Sequence, residues 1–206
     1  MAPCYDGAVA AARSPAPIHA AEPPMSLIAG NLAVVQRLLD GDGMPWCVVA
    51  GAAAYLYGNR RPIQDVDLLV PRGRLPAVVQ LLQGSGKAVQ FDGQRILWRG
   101  IKLFDDLTVR RSGRAHPLQL DQPMQLRVRR LPLLGALVSV AAPEDVVAHK
   151  LLLLRGPAEG KHDQEDAAGV VRRQSLDLDY LRERARLLEA EALLRDRLAE
   201  LGVTLG

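Results

Sequence analysis

The segment WCVVAGAAAYLYGNRRPIQDVDLLV, Trp46 to Val70, restricts the possible folds more than any other part of the chain. Its punctuation predicts a strand over Trp46–Ala50, a tight turn at Gly51 and a brief helix over Ala52–Tyr57 closed by Gly58-Asn59. A second strand follows over Ile63–Val70, stopped by Pro71. Two aspartates, Asp65 and Asp67, interrupt this apolar strand. Residues two apart face the same side of a sheet, so both carboxylates project together while Val66, Leu68 and Val70 point into the core. Buried carboxylates need a compensating cation, and neighbouring acids repel unless a positive charge lies between them. A Mg²⁺ ion that also holds phosphate oxygens and water suits such a pair. Gly51 leaves room for a phosphate near the backbone, and the helix start supplies free N–H groups. Arg60 and Arg61, just upstream, offer forked donors. Together these residues point to a metal-phosphate site with Asp65 and Asp67 as ligands.

The rest of the chain supplies a small sheet and then helices. Leu27, Leu32, Val35, Leu38 and Leu39 form a helical stripe over Ser26–Leu39. Leu75–Leu82 is helical, and Val89–Phe91, Arg95–Trp98 and Ile101–Leu107 are short strands divided at Asp92-Gly93 and Gly100. The polar stretch from Thr108 to Gln125 reads as a loop, and Leu126–Leu131 and Leu137–Val140 as strands. Pro143 opens a helix that runs to about Arg155, followed by a helix over His162–Arg173, a third capped by Asp177, and a fourth over Leu187–Leu201. The arginines of these last helices are expected to face solvent, with the leucines as the buried stripe. The fold class is therefore α/β (α+β): a small mixed sheet flanked by helices over 26–142, then an all-helical region over 143–206. Residues 1–25, rich in Ala and Pro, read as a disordered tail, with Met25 as an alternative start.

Composition excludes several classes. With 49% apolar residues among 206, a core of useful size is available. The net charge of +3 is too small to specify nucleic-acid binding by itself. Cys4 and Cys47 do not make a disulfide framework, and no apolar run is long enough for a membrane span. A reduced, cytoplasmic setting is the expectation. His149 and His162 lack the partner spacing of a zinc site.

The segment VVAGAAAYLYGNRRPIQDVDLLV resembles the glycine-turn, short-helix, Arg and Asp-x-Asp signature of the nucleotidyltransferase superfamily related to DNA polymerase β. PEDVVAHKLLLLRGPAEGKHDQEDAAGVV is similar to the helical motif of its abortive-infection AbiEii-type branch, where a Lys, an Arg and an Asp-x-x-Asp follow one another. The resemblance implies Mg²⁺-dependent transfer of a nucleoside monophosphate from an NTP to RNA, a protein or a small molecule, with a toxin-like role among the options. By motif position, Asp65 and Asp67 would bind metal, and Gly51 and Ala52 would line the triphosphate turn. Lys150 would lie near the phosphates with Arg155 in support. Asp163 and Asp166 would contact the nucleotide or hold Lys150. Two departures stand out. The turn is Gly51-Ala52 where the family has Gly-Gly or Gly-Ser. The family's third carboxylate, commonly the general base, has Asp105 and Asp106 as candidates, with Lys102 a competitor for the position. If Ile101 and Leu103 face the core, Lys102 and Asp106 share the site face. These departures support an alternative, a catalytically degenerate member acting as a nucleotide-binding or protein-interaction module. A third reading, a partner-binding helical C-terminus, would require an exposed apolar stripe after Leu176.

Overall fold

The computed structural model describes residues 25–205, so Cys4 and nearly all of the 1–25 tail lie outside the described residues. A seven-stranded mixed sheet forms the body of the chain, in the order β3-β4-β5-β2-β1-β9-β8. Its central strands are β1 (Cys47–Val49), β2 (Val66–Leu69) and β5 (Ile101–Phe104). β2 runs antiparallel to β1 and parallel to β5, and β1 is parallel to β9 (Ala136–Val140). The outer strands are β3 (Gln90–Phe91), β4 (Arg95–Trp98) and β8 (Arg129–Leu133). α1 (Met25–Gly41) packs with α3 (Leu75–Gln83) and against β5 and β9; of the expected stripe it buries Leu32, Val35 and Leu39, with Leu38 partly covered and Leu27 exposed.

Several elements differ from the sequence expectation, each for a local reason. β1 ends at Val49 because Ala50 adopts φ +54° and opens α2 (Ala50–Leu56). A non-glycine residue in this region is uncommon. β2 is four residues rather than eight: its pairing starts where Val66 meets Ile101, immediately after the left-handed Arg99-Gly100 turn, so Asp65 falls just outside the strand. β5 likewise stops at Phe104. The stretch expected as a loop from Thr108 contains a hairpin, β6 (Val109–Arg111) and β7 (Arg114–His116). Its turn, Ser112-Gly113, has both φ values positive, as a two-residue hairpin requires. A short α4 (Gln122–Gln125) follows, capped by Asp121, and β8 starts three residues later than the expected strand at Leu126.

The helical region is organised around α5 (Pro143–Leu153), which packs on α2, α6 (Asp163–Arg173), α7 (Leu178–Leu187) and α8 (Glu191–Glu200). α5 is buried on all sides over Pro143–Leu152, as a helix enclosed by others must be. It nonetheless carries four buried polar residues, Glu144, Asp145, His149 and Lys150. α7 begins under an Asp177 cap as expected, and the final helix starts at Glu191, four residues later than the expected Leu187. One expectation for these helices is wrong. Arg184 is fully buried, with Nε 2.7 Å from Asp145 Oδ1 and Nη1 2.6 Å from Asp121 Oδ2. Its long side chain reaches acids from elements remote in sequence, which helical periodicity cannot reveal.

Close backbone approach joins α2 to α6. A Cβ added at Gly169 would lie 2.9 Å from Asn59 Cβ, a position fixed by backbone rather than by a flexible tip. Gly169→Ala is therefore expected to destabilise the chain by roughly 1–3 kcal/mol through overpacking, despite the better helix propensity of Ala. Thermal unfolding checks this, and a variant as stable as the wild type would mean that the two helices are not closely apposed.

Candidate active site

Asp67 lies in β2 between Val49 of β1 and Lys102 of β5. Val66 and Leu68 are fully buried on the core face, so alternation turns Asp67 to the opposite side. Asp65, one step before the strand, joins it there: both line a cleft with a wide lobe of about 580 Å³ and a narrow lobe of about 110 Å³. Ala50, Asp65, Asp67, Arg155 and Lys161 border both lobes, so the acid pair stands at their junction. The expected same-side placement of the two aspartates is what the structure has.

The two acids are in different states. Asp65 is ion-paired with Lys102 Nζ. Burial opposes the charge on Lys102, but Asp65 and Asp67 outweigh it and hold the ammonium above its ordinary pKa. The Asp67 carboxyl accepts no hydrogen bond among the described residues, although its backbone is paired on both sides in the sheet. Burial, together with the Asp65 charge, pushes its carboxyl up to about 6, against the lowering fields of Lys102, Lys150 and Lys161.

The candidates for a third acid separate clearly. Asp105 accepts from the Gly73 N–H at 2.7 Å and borders neither lobe. Asp106 lines the wide lobe, but its oxygens take hydrogen bonds from Thr108 and Gln119. Burial alone would raise its pKa, yet those bonds and the Arg72 charge hold it below the usual value. Lys102, directly opposite Asp67 in the sheet, takes the central position. Among the described residues no group of three or more His, Cys, Asp or Glu is placed to hold a metal. The donor set fits one hard cation that brings phosphate and water as its other ligands; Asp67 is the open carboxylate for it.

The turn before α2 differs from its expected form. The left-handed residue is Ala50, not Gly51. A Cβ at Gly51 would meet Arg61 Nη2 at 3.8 Å, an ordinary contact, so Gly51 keeps open the part of the narrow lobe that faces Arg61. Ala52 borders the same lobe. Arg60 does not: its guanidinium lies 5.0 Å over the Tyr55 ring, outside both lobes.

The later motif is drawn together as an ion-pair network. Lys150 Nζ lies 2.8 Å from Asp163 Oδ1 and 2.6 Å from Asp166 Oδ2, with all three side chains buried. Arg155 Nε reaches Asp163 Oδ2 at 2.8 Å, and Arg61 Nη2 reaches Asp166 Oδ2 at 3.2 Å. Asn59 Nδ2 also donates to Asp166. Burial would raise the Asp163 pKa, but hydrogen bonds from Arg155 and Lys150 hold it below the usual value. Lys150 is thus committed to two carboxylates instead of reaching out as a free phosphate ligand. Of the two roles expected for Asp163 and Asp166, the contacts are those of holding Lys150. Arg61 and Arg155 are each only partly covered and border the cleft.

Lys161, which borders both lobes, and His149, which lines the wide one, were not singled out as ligands by sequence reasoning. The glycine-flanked GPAEGK loop was the available signal for Lys161. His149 carries none, because its place depends on how α5 meets the sheet.

This sheet, with an acid pair at the start of β2 beside a strand-turn-helix unit, has the nucleotidyltransferase-like fold. A solution structure of the antibiotic-resistance factor ANT(2'')-Ia matches it with a TM-score of 0.52 at 15% identity, covering 84% of this chain and 94% of that one. A crystal structure of ANT(2'')-Ia in complex with adenylyl-2''-tobramycin gives a TM-score of 0.47 at 12% identity, covering 84% and 97%. An antigenic nucleotidyltransferase-like protein from Paracoccidioides brasiliensis gives 0.46 at 19% identity, covering 87% and 94%. No protein-family model matches the sequence, and no curated protein aligns with it.

Proposed function

We propose that this chain is a Mg²⁺-dependent nucleotidyltransferase that moves a nucleoside monophosphate from an NTP to an acceptor hydroxyl. The observation that carries this reading is the placement of Asp65 and Asp67 on one face of the sheet, where a narrow lobe and a wide one meet, with the Asp67 carboxyl left without a hydrogen bond. Arg61, Arg155 and Lys161 line the narrow lobe and suit a triphosphate. Asp65 and Asp67 would hold Mg²⁺, which neutralises charge on phosphate oxygens when bound. Lys102 adds a fixed positive charge beside the pair and helps to stabilise negative charge developing there. The nucleotidyltransferase-like fold supports the class of reaction. The PEDVVAHK helix and its Asp-x-x-Asp partner support an AbiEii-type branch and with it a toxin-like role, the acceptor being RNA, a protein or a small molecule. The sparse cysteines support a cytoplasmic setting. Among the described residues no helix is long and apolar enough to cross a membrane.

The Lys102–Asp65 pair favours a second reading, a nucleotide-binding module that transfers nothing, because an internal cation already occupies one of the two acids. Incubation with each labelled NTP, Mg²⁺ and cell extract separates the two. Label on RNA, protein or metabolite that disappears with Asp65→Asn supports the enzyme. Nucleotide binding with no transfer supports the module, and neither binding nor transfer would sink both.

A further inference from the structure

Each buried polar side chain of α5 except one is matched by a partner inside the protein. Glu144 Oε1 accepts from the Asp177 N–H at 2.7 Å, Asp145 pairs with Arg184 and Tyr180, and Lys150 with Asp163 and Asp166. His149, only 5% exposed, has no hydrogen bond to either ring nitrogen among the described residues, and it lines the wide lobe. Buried polar groups in folded chains nearly always have a partner, and for this imidazole it comes from the lobe, as water or a bound ligand, because the chain supplies none among the described residues.

Most other acceptors around the lobe are engaged. Asp65 is taken by Lys102, Asp92 by the backbone and side chain of Arg95 and the Gln94 N–H, and Asp106 by Thr108 and Gln119. Among the described residues Asp67, His149 and the exposed Gln94 amide keep an open acceptor, and His149 is the buried neutral one. Burial, with Lys150 beside it, drives the His149 pKa down to about 3, so the ring is neutral and offers one lone pair and one N–H. A hydroxyl group, which both donates and accepts, matches that offer.

The cleft says which hydroxyl. With a triphosphate tail in the narrow lobe and its α-phosphate at the Asp65/Asp67 junction, the attached sugar enters the wide lobe. There His149 lines the wall of the same lobe as Asp65 and Asp67, within the space that the sugar enters. We propose that His149 hydrogen-bonds a ribose hydroxyl of the bound nucleotide, making the site selective for ribonucleotides. The assignment rests on the nucleotide-binding reading above.

The test is calorimetric titration, with Mg²⁺, of the four ribonucleoside triphosphates against their 2′,3′-dideoxy counterparts. The wild type should bind at least one ribonucleotide roughly 3- to 10-fold more tightly than its dideoxy form, the range of one neutral hydrogen bond. His149→Leu should abolish that preference by weakening only the ribonucleotide, and His149→Gln should restore part of it. If His149→Leu does not fold, the wild-type protein still decides through its ring ¹⁵N resonances. Those of His149 should move with the ribonucleotide and not with the dideoxy form. Equal, tight binding of both forms, or a preference that survives His149→Leu, overturns the sugar assignment alone. No binding of any nucleotide overturns it together with the nucleotide-binding reading.

Discussion

Replacing Asp67 with Asn is expected to cut the proposed nucleotidyl transfer by about 10²-fold or more while making the protein more stable at neutral pH. Burial and the Asp65 charge raise the Asp67 pKa from 3.8 to about 6. A group whose folded value is raised contributes most to stability below its unfolded value, and that contribution is lost as pH rises through the folded one. Below pH 3.8 the carboxyl is protonated in both folded and unfolded chains, and Asn should behave like Asp. Between 3.8 and 6 the wild type loses stability relative to the variant, and above 6 the difference levels off. Each pKa unit corresponds to about 1.4 kcal/mol, so the gain for Asp67→Asn above pH 6 is on the order of 1–3 kcal/mol. Urea unfolding at pH 3.5 and pH 7.5 checks the sign. An Asn variant that is less stable than wild type at pH 7.5 would show that the carboxylate is already compensated within the chain. For transfer, Asn keeps the shape but removes the charge, and the expected loss is about 10²-fold or more, as for other electrostatic groups at reacting centres.

Lys150→Ala should produce the largest loss of stability. The substitution leaves Asp163 and Asp166 buried without the ammonium that lies within 2.8 Å of both. Breaking a buried pair by removing one partner costs roughly 3–5 kcal/mol, because the remaining charge stays desolvated. Arg155 and Arg61 compensate in part, since each already binds one of the two acids. Lys150→Met is the informative companion. It restores most of the apolar stem, so if it is nearly as damaging as Ala, charge rather than packing was lost. A Lys150→Ala protein within about 1 kcal/mol of wild type in chemical unfolding would mean that water, not protein, solvates this network.

Much of the architecture was legible along the chain because its signals are local. The alternation around Asp65 and Asp67, the Gly93 hairpin and the Pro143 helix start depend on a few adjacent residues, and each has a counterpart in the structure. Short elements were harder. The three-residue strands β6 and β7 are too brief for alternation to register, although Ser112-Gly113 marked their turn. Residue type places the tight turn at Gly51, whereas the left-handed backbone angle belongs to Ala50. Backbone angles there follow from how β1 hands over to α2, not from intrinsic preference.

The sequence alone determined that two acids one residue apart project to the same side of the sheet, and that a Lys-, Arg- and Asp-bearing helical segment follows far downstream. The tertiary structure alone decided which charges neutralise each other. Lys102 meets Asp65 from 37 positions away, and Arg61 meets Asp166 from 105. Lys150 is enclosed between its acids, leaving Asp67 and His149 open to the cleft. The reason is physical: periodicity is set by covalent geometry within a few residues, while charge compensation acts across space and depends on which elements pack together.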